Sequence, residues 1–189
     1  MKGRIRITAG AYKGKPIRTP NDESIRPTSE RARQALFNRL EHSFQDYGFN
    51  IHGARVADLF AGTGALGLEA LSRGAGHIVF IETSPSSRRV LQDNIVALDV
   101  TDKTTVLTMD ATSLPATSFS YDLALLDPPY GEGLAQSTVN TLVAKEWLSE
   151  KSIIVAETAK EEILKAPSGW AVEETRTYGR GALNYLVRS

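Results

Sequence analysis

The sequence predicts an α/β fold, in which a mostly parallel sheet is flanked by helices and ends in an antiparallel hairpin. Three observations favour this class. Short apolar runs alternate with helical stretches through residues 51–156, the pattern of parallel strands joined by helices. Four of these runs end at or beside an acidic residue. Two further runs, residues 171–178 and 182–187, flank Gly179-Arg180-Gly181 and indicate the hairpin.

The first fifty residues (1–50) are expected to form a basic extension packed on the main domain, which spans residues 51–189. Residues 4–8 alternate polar and apolar side chains, and residues 16–19 follow a turn region, so a small β-hairpin is predicted. A helix is predicted to begin at residues 27–30, where a proline, a hydroxyl cap and an early acid occur together.

That helix has apolar residues at i, i+4 spacing, which predicts one buried face. The apolar stripe consists of Ala32, Leu36, Leu40 and Phe44, with Ala35 and Phe37 beside it. Arg31, Arg33 and Arg39 lie off the stripe, so we expect them to remain available to a partner.

The first strand of the main domain begins at residue 56 and ends in the acid Asp58, and it leads into a glycine-rich turn and a helix around residues 64–73. Gly62, Gly64 and Gly67 have the G-x-G-x-x-G spacing, which lets a ligand approach the backbone and aims a helix N-terminus at it. Dinucleotide-binding domains share this spacing, so the glycines alone do not choose a ligand. Asp58 favours S-adenosylmethionine, because a carboxylate there would repel a pyrophosphate but accept a hydrogen bond from the methionine ammonium.

The next two strands also end near acids. Residues 78–81 end at Glu82, which lies 20 residues after Gly62, the separation found for carboxylates that bind ribose hydroxyls. After a helix around residues 86–98, residues 105–109 form a third strand, and Asp110 with Ala111 is placed to meet an adenine edge. Because ligands of open parallel sheets bind at the carboxyl ends of strands, these residues are expected to share one cofactor site.

The fourth strand, residues 123–126, ends in Asp127-Pro128-Pro129-Tyr130. Proline donates no backbone hydrogen bond and disfavours helix in the residue before it, so the strand cannot continue as a ladder. The carbonyls of Asp127 and Pro128 are therefore expected to point into a cleft, beside a carboxylate and an aromatic ring. This grouping suits a flat base that bears an amine, since it offers acceptors for the amino hydrogens and a ring for stacking.

The last elements of the main domain follow the same alternation. A helix is predicted around residues 134–147, a fifth strand at residues 152–156, and then the C-terminal hairpin. No internal repeat or low-complexity segment interrupts this order, so one compact domain with its extension is expected.

Composition excludes several classes of function. The chain has no cysteine, so disulfides, thiolate catalysis and cysteine metal sites are excluded. His42, His52 and His77 pair with no carboxylate at ligand spacing, so no metal site is predicted. No apolar run approaches the length needed to span a membrane. The start of the sequence, residues 1–4, lacks the apolar core of a signal peptide. We therefore expect a cytoplasmic protein with no membrane partner.

The formal net charge of zero conceals an asymmetry. Residues 1–40 contain ten Lys or Arg against three Asp or Glu, and the rest of the chain carries the compensating negative charge. A basic arm on an acidic body predicts a polyanionic partner. The candidate contacts with a nucleic acid are Arg4, Arg6, Lys13, Lys15, Arg26, Arg31 and Arg33.

Four stretches carry a resemblance to a known family. They are RIRITAG (residues 4–10), RPTSERARQALFN (26–38), DLFAGTGALGLEALSRGA (58–75) and LDPPY (126–130). The D-x-F-x-G-x-G turn, the acid after the second strand and the D-P-P-Y motif resemble class I S-adenosylmethionine-dependent methyltransferases. Together the four stretches resemble, more narrowly, the RsmD family, and the second and third are the long and specific ones. Arg180-Gly181-Ala182 departs from that family, whose members more often carry an acid and a threonine there.

The resemblance implies a Rossmann-like class I methyltransferase fold with a seven-stranded sheet. It further implies methylation of the N2 amine of a guanine in 16S ribosomal RNA, within a small-subunit particle, by a monomer that uses S-adenosylmethionine and no metal. Asp127 and the carbonyl of Pro128 would bind the amine, and Tyr130 would stack on the base.

Other functions stay open on the sequence alone. Similar D/N-P-P-Y/F motifs serve methylation of adenine N6, cytosine N4 and glutamine amides. A nicotinamide-dependent oxidoreductase would use the glycine turn but leaves D-P-P-Y unexplained, and no acid pair for hydride chemistry is evident. A third possibility is a non-catalytic RNA-binding protein on this scaffold, although the motifs are intact.

Overall fold

The computed structural model describes residues 5–19 and 30–189 of the chain. Its α-helices there are α1 (Glu30–Ser43), α2 (Ala65–Ser72), α3 (Pro85–Leu98) and α4 (Leu134–Ala144). Its strands are β1 (Ile5–Arg6), β2 (Pro16–Ile17), β3 (Arg55–Leu59), β4 (His77–Ile81), β5 (Thr104–Leu107), β6 (Tyr121–Leu126), β7 (Leu148–Ala159), β8 (Trp170–Tyr178) and β9 (Gly181–Arg188). No helix within these two ranges has the length and apolar character needed to cross a membrane.

Across the described residues, one seven-stranded sheet has the order β5-β4-β3-β6-β7-β9-β8. Strands β5, β4, β3, β6 and β7 are parallel, whereas β9 pairs antiparallel with both β7 and β8. The strand order reverses between β3 and β6, since β4 and β5 lie on one side of this pair and β7 on the other. Ligands of open α/β sheets bind at such a switch point. The predicted fold class, with its C-terminal hairpin, is confirmed.

Side chains alternate between the two faces of the central strands and pack against two apolar layers. One layer contains Leu36 of α1, Leu68 of α2 and Leu91 of α3. The opposite layer contains Val139 and Leu142 of α4. The carboxyl ends of β3, β4 and β6 are therefore held between helices on both faces, which gives a rigid base for a site.

The predicted N-terminal hairpin is confirmed. Ile5 of β1 pairs with Ile17 of β2, and both are buried in the same apolar layer as α1 and α2. Backbone hydrogen bonds also fix the turn to the main domain, since Ala11 N donates to the carbonyl of Ser72 at 2.8 Å. The extension thus completes the core of the sheet, while the domain boundary at residue 50 stays a prediction.

Two helix predictions differ from the structure at their ends. α1 buries the expected stripe of Ala32, Leu36 and Leu40, but the predicted cap at residues 27–29 lies outside the described residues. α4 ends at Ala144, earlier than predicted, because Glu146 adopts a left-handed conformation with φ 55°. The chain then turns into β7.

A buried ion cluster joins the extension to α2. The Glu69 carboxylate accepts hydrogen bonds from Thr8 N at 2.8 Å, Arg33 Nε at 3.2 Å and Arg73 Nε at 3.0 Å. Arg33 also donates from Nη2 to the carbonyl of Arg6 at 2.5 Å. The prediction that Arg33 is available to a partner is wrong, because its side chain is 0% exposed and neutralises Glu69.

Candidate active site

Three of the predicted acids converge at the switch point. Asp58 is the penultimate residue of β3, Glu82 follows β4 directly, and Asp127 follows β6 directly. Leu59, at the end of β3, pairs in register with Ile81 on one side and with Leu126 on the other. The three carboxylates are therefore carried by neighbouring strand ends at one edge of the sheet.

The glycine turn is built around the Asp58 carboxylate. Asp58 is buried, and its Oδ2 accepts a hydrogen bond from Gly67 N at 2.8 Å in the first turns of α2. A Cβ at position 67 would lie 2.4 Å from Phe80 Cε1 and 2.9 Å from Asp58 Oδ2, so only glycine allows α2 to pack this closely on the sheet. Gly64, the N-cap of α2, has φ 80° and lies against Leu91, which again requires glycine.

Glu82 is oriented before any ligand arrives. Its Oε2 accepts a hydrogen bond from Gly62 N at 2.8 Å, and its Oε1 accepts one from Ser84 N at 2.7 Å. Each carboxylate oxygen retains acceptor capacity, since an ionised carboxylate offers about four lone-pair sites. The side chain can therefore still accept hydroxyl hydrogens, such as those of a ribose.

The electrostatics of this edge favour a cationic ligand. Burial raises the pKa of the Asp58 carboxyl well above its usual range. The N–H of Gly67 acts in the opposite direction, and the nearby charges of Asp127 and Glu82 raise the pKa of Asp58 further. A cation placed among these carboxylates would relieve their mutual repulsion. S-adenosylmethionine, with its ammonium and sulfonium groups, fits this group of carboxylate acceptors.

Asp110 and Ala111 lie beyond the end of β5, on the outer side of Glu82. Asp110 caps a short turn, because its Oδ1 accepts hydrogen bonds from Thr112 N at 2.8 Å and Thr112 Oγ1 at 2.7 Å. These hydrogen bonds from Thr112 lower the pKa of the Asp110 carboxyl, so it is ionised at neutral pH. The other oxygen, Oδ2, takes no part in that cap and suits the amino group of an adenine.

The D-P-P-Y segment forms the other side of the switch point. Asp127 is half-buried and Pro128 is buried, whereas Tyr130 exposes 48% of its surface. The Tyr130 hydroxyl donates a hydrogen bond to Oε1 of Glu157, which belongs to β7. A carboxylate and an exposed aromatic ring are thus held beside the cofactor edge, as a stacked base with an amine would require.

The predicted RNA contacts fall into three groups. Arg6, Lys13, Lys15 and Arg31 have exposed side chains. Arg4 and Arg26 lie outside the described residues. Arg33 is buried in the ion cluster with Glu69, so it has no surface with which to contact RNA.

Sequence reasoning missed two residues at this site. Phe60, between Asp58 and the glycine turn, adopts φ 61°, which is rare for a bulky residue and occurs most often at functional sites. The D-x-F-x-G motif was the signal that could have found it. Glu157 had no such signal, because its partner Tyr130 is 27 residues away in the chain.

Comparisons with known proteins agree with this arrangement. The family model described as conserved hypothetical protein 95 matches residues 5–187. Ribosomal RNA small subunit methyltransferase D of Escherichia coli strain K12 is 32% identical over 98% of this chain and 91% of its own length. The Haemophilus influenzae protein of the same name is 32% identical over 94% of this chain and 91% of its own length. The solved structure of yhhF from Escherichia coli, described as a methyltransferase, superposes with a TM-score of 0.85 at 32% identity and covers 98% of both chains.

Proposed function

The chain belongs to the RsmD family, and from that membership we propose that it methylates the exocyclic N2 amine of a guanine in small-subunit (16S) ribosomal RNA. The observation that carries the proposal is the position of Asp127-Pro128-Pro129-Tyr130 beside the acidic cofactor edge, on the other side of the switch point. A small-subunit particle is the proposed form of the substrate, and a monomer the proposed form of the enzyme.

S-adenosylmethionine is the proposed methyl donor, and when bound it supplies a methyl group that is already activated by the sulfonium. Asp58 and the glycine turn would hold its methionine end, because they offer a buried carboxylate and, at Gly62, backbone that no side chain covers. Glu82 would bind the ribose, and Asp110 with Ala111 the adenine. Each assignment places a hydrogen-bond acceptor or backbone group where the corresponding ligand group needs one.

The protein's contribution to catalysis is alignment. The guanine amine is a poor nucleophile, because its lone pair is delocalised into the ring. Hydrogen bonds from that amine to Asp127 and to the Pro128 carbonyl would favour a pyramidal nitrogen whose lone pair points at the methyl group. Holding two reactants in line can lower a barrier by about 7–11 kcal/mol. Asp127 would also stabilise the cationic amine that forms and accept its surplus proton, which leaves N2-methylguanine. Tyr130 would stack on the base, an interaction worth about 1–3 kcal/mol.

Mapping of methylated nucleotides by mass spectrometry in ribosomal RNA tests this function. Cells that lack the gene should lose one N2-methylguanine from the small-subunit RNA, and the purified protein should restore it on particles from those cells. An unchanged RNA profile with lost methylation of DNA or protein would overturn the RNA substrate. Failure of the protein to transfer any methyl group would favour a non-catalytic RNA-binding role.

We expect the affinity for S-adenosylmethionine to rise with pH above the range, about pH 4, in which ordinary carboxyls ionise. Burial raises the pKa of Asp58, so this carboxyl takes up its charge at higher pH than an ordinary one, and a cationic ligand favours its ionised form. Binding should therefore release protons. Calorimetry in buffers of different ionisation enthalpy measures this release directly.

Asp58→Asn is the control for that titration, since the amide keeps an acceptor but cannot ionise. It should bind the cofactor more weakly and without this rise in affinity with pH. Wild-type binding without proton release would contradict the assignment of Asp58 to the cationic end. Binding of NAD in place of S-adenosylhomocysteine would instead favour a nicotinamide-dependent oxidoreductase.

The basic arm is expected to dock on RNA phosphates. Replacing Arg4, Arg6 and Lys13 together by Gln should weaken RNA binding and flatten its salt dependence. Each lost phosphate contact should reduce the slope by about 0.7 to 0.9 log units per tenfold change in salt. Filter binding over a salt series measures the slope, and calorimetry should show an unchanged affinity for S-adenosylhomocysteine.

A matched triple variant separates local contact from total charge. Lys103, Lys145 and Lys151 are exposed and lie at the edge of the sheet opposite the site. Lys103 precedes β5, Lys145 precedes β7, and Lys151 lies near the start of β7. Their replacement by Gln removes the same charge and should leave the salt dependence of RNA binding nearly unchanged. Equal slopes for the two triple variants would overturn the role of the arm.

A further inference from the structure

Tyr130 is held by a residue that belongs to a different strand from its own. Glu157 lies in β7, one position beyond Ala156, which pairs with Leu126 at the end of β6. This position brings its carboxylate level with the segment that follows β6, and Oε1 accepts the hydrogen bond from the Tyr130 hydroxyl. The contact therefore links the D-P-P-Y segment to β7, the strand at which the parallel part of the sheet meets the antiparallel hairpin.

The C-terminal hairpin closes over this contact. Glu157 pairs in register with Leu183 of β9, and Gly181 begins that strand. A Cβ at position 181 would lie 2.7 Å from the Tyr130 hydroxyl and 3.0 Å from Glu157 Oε1. The absence of a side chain at Gly181 thus leaves the space into which the phenol end of Tyr130 fits. Tyr130 as a whole keeps 48% of its surface exposed.

We propose that Glu157 is a positioning residue, which fixes the Tyr130 ring at the mouth of the cleft so that the target base can stack on it. The proposal rests on the proposed function, because that function supplies the target base and its amine. A hydrogen bond from a hydroxyl to a carboxylate is short and strong compared with neutral pairs, and it restricts the ring to one orientation. Binding of a base then costs less ordering of the protein.

The surroundings of the Tyr130 phenol keep it protonated, so that it remains a hydrogen-bond donor. Burial raises the pKa of Tyr130, and the hydrogen bond to Glu157 and the charges of Glu157 and Asp127 raise it further, while Arg180 acts in the opposite direction. The phenol therefore keeps its proton at neutral pH and donates a hydrogen bond to Glu157. Removing the carboxylate charge should lower the pKa of Tyr130.

A double-mutant cycle tests the coupling of the two residues. Glu157→Ala and Tyr130→Phe should each reduce kcat/KM for the RNA by about tenfold, mainly through KM, because each removes the same hydrogen bond. The double variant should lose no more than either single variant. Glu157→Gln keeps an acceptor oxygen and should recover most of the loss. Glu150→Ala, an exposed acid at the other end of β7, should have wild-type kinetics.

Two further measurements separate positioning from a structural role. All variants should keep the wild-type Tm and the wild-type affinity for S-adenosylhomocysteine. Losses in the single variants that add in the double variant would overturn the proposal, as would wild-type kinetics in Glu157→Ala.

A readout that needs no activity distinguishes this proposal from the proposed function. With 3-fluorotyrosine incorporated at position 130, fluorine NMR should show a raised phenol pKa in the otherwise wild-type protein and a lower one in Glu157→Gln. Glu157→Ala should move the fluorine resonance toward that of an exposed tyrosine. An unchanged resonance and an unchanged pKa would overturn the positioning role, even if methyl transfer is observed. A wild-type protein that transfers no methyl group but passes this test would overturn only the proposed function.

Discussion

Replacing Asp127 by alanine is expected to reduce kcat for methyl transfer by about 10²–10³-fold or more. This carboxylate is the first residue of the D-P-P-Y segment after β6, where it would orient the amine and stabilise the cation that forms. Both effects act on the transition state, so the loss should appear in kcat. The affinity for S-adenosylhomocysteine should change little, because Asp58, Glu82 and the glycine turn remain.

Single-turnover kinetics with small-subunit particles from cells lacking the gene would measure the loss. Asp127→Asn separates the two roles, since the amide oxygen still accepts a hydrogen bond but carries no charge and takes no proton. Asp102→Ala removes an exposed acid at the opposite edge of the sheet and should leave kcat unchanged. An Asp127→Ala variant that folds, with its Tm intact, and turns over at the wild-type rate would refute the catalytic assignment.

The acidic edge of the sheet could be placed from the sequence because its geometry follows from local pattern. Apolar runs of strand length separated by helices imply parallel strands, and parallel strands have their carboxyl ends at one edge. Asp58, Glu82 and Asp127 could therefore be brought together without any tertiary information. Only their exact places relative to the strand ends needed the structure, since β3 continues one residue beyond Asp58, to Leu59.

Arg33 shows where such reasoning fails. Its position off an apolar stripe indicates exposure, and arginine is seldom buried unless it is paired. Its partner, Glu69, is 36 residues away, and no local periodicity connects the two. The hydrogen bond between Tyr130 and Glu157 escaped prediction for the same reason. In both cases a charge was satisfied by a long-range contact that depends on how the strands and helices pack.

The buried ion cluster leads to the second large effect, which is on stability. Replacing Glu69 by alanine should reduce the free energy of unfolding by about 3–5 kcal/mol, because it leaves the Arg33 and Arg73 guanidinium groups buried beside an empty space. It also removes the acceptor for Thr8 N and for Ala9 N, which join the extension to α2. Urea denaturation at neutral pH measures the change.

The same cluster predicts a pH dependence. Burial alone would raise the pKa of Glu69, but the hydroxyl and N–H of Thr8 and the guanidinium groups of Arg73 and Arg33 outweigh it and lower the pKa. A carboxyl whose pKa is lower in the folded state stabilises the fold above its unfolded pKa, and this contribution is lost as the pH falls through the folded value. Wild-type protein should therefore lose stability on acidification below about pH 4 to 5, and Glu69→Gln should lose less over the same range.

Glu41→Ala is the matched control for the loss at neutral pH. Glu41 accepts a hydrogen bond from Arg73 Nη1 at 3.0 Å, but 27% of its side chain is exposed, so water can replace it. Its removal should cost about 1 kcal/mol or less, as for pairs that water can reach, because Glu69 and Asn38 still accept hydrogen bonds from Arg73. A loss for Glu69→Ala no larger than that for Glu41→Ala would show that the buried cluster does not hold the extension. Because Gly64, the N-cap of α2, lies in the glycine turn, a large loss would instead tie the anchoring of the basic arm to the integrity of the proposed cofactor site.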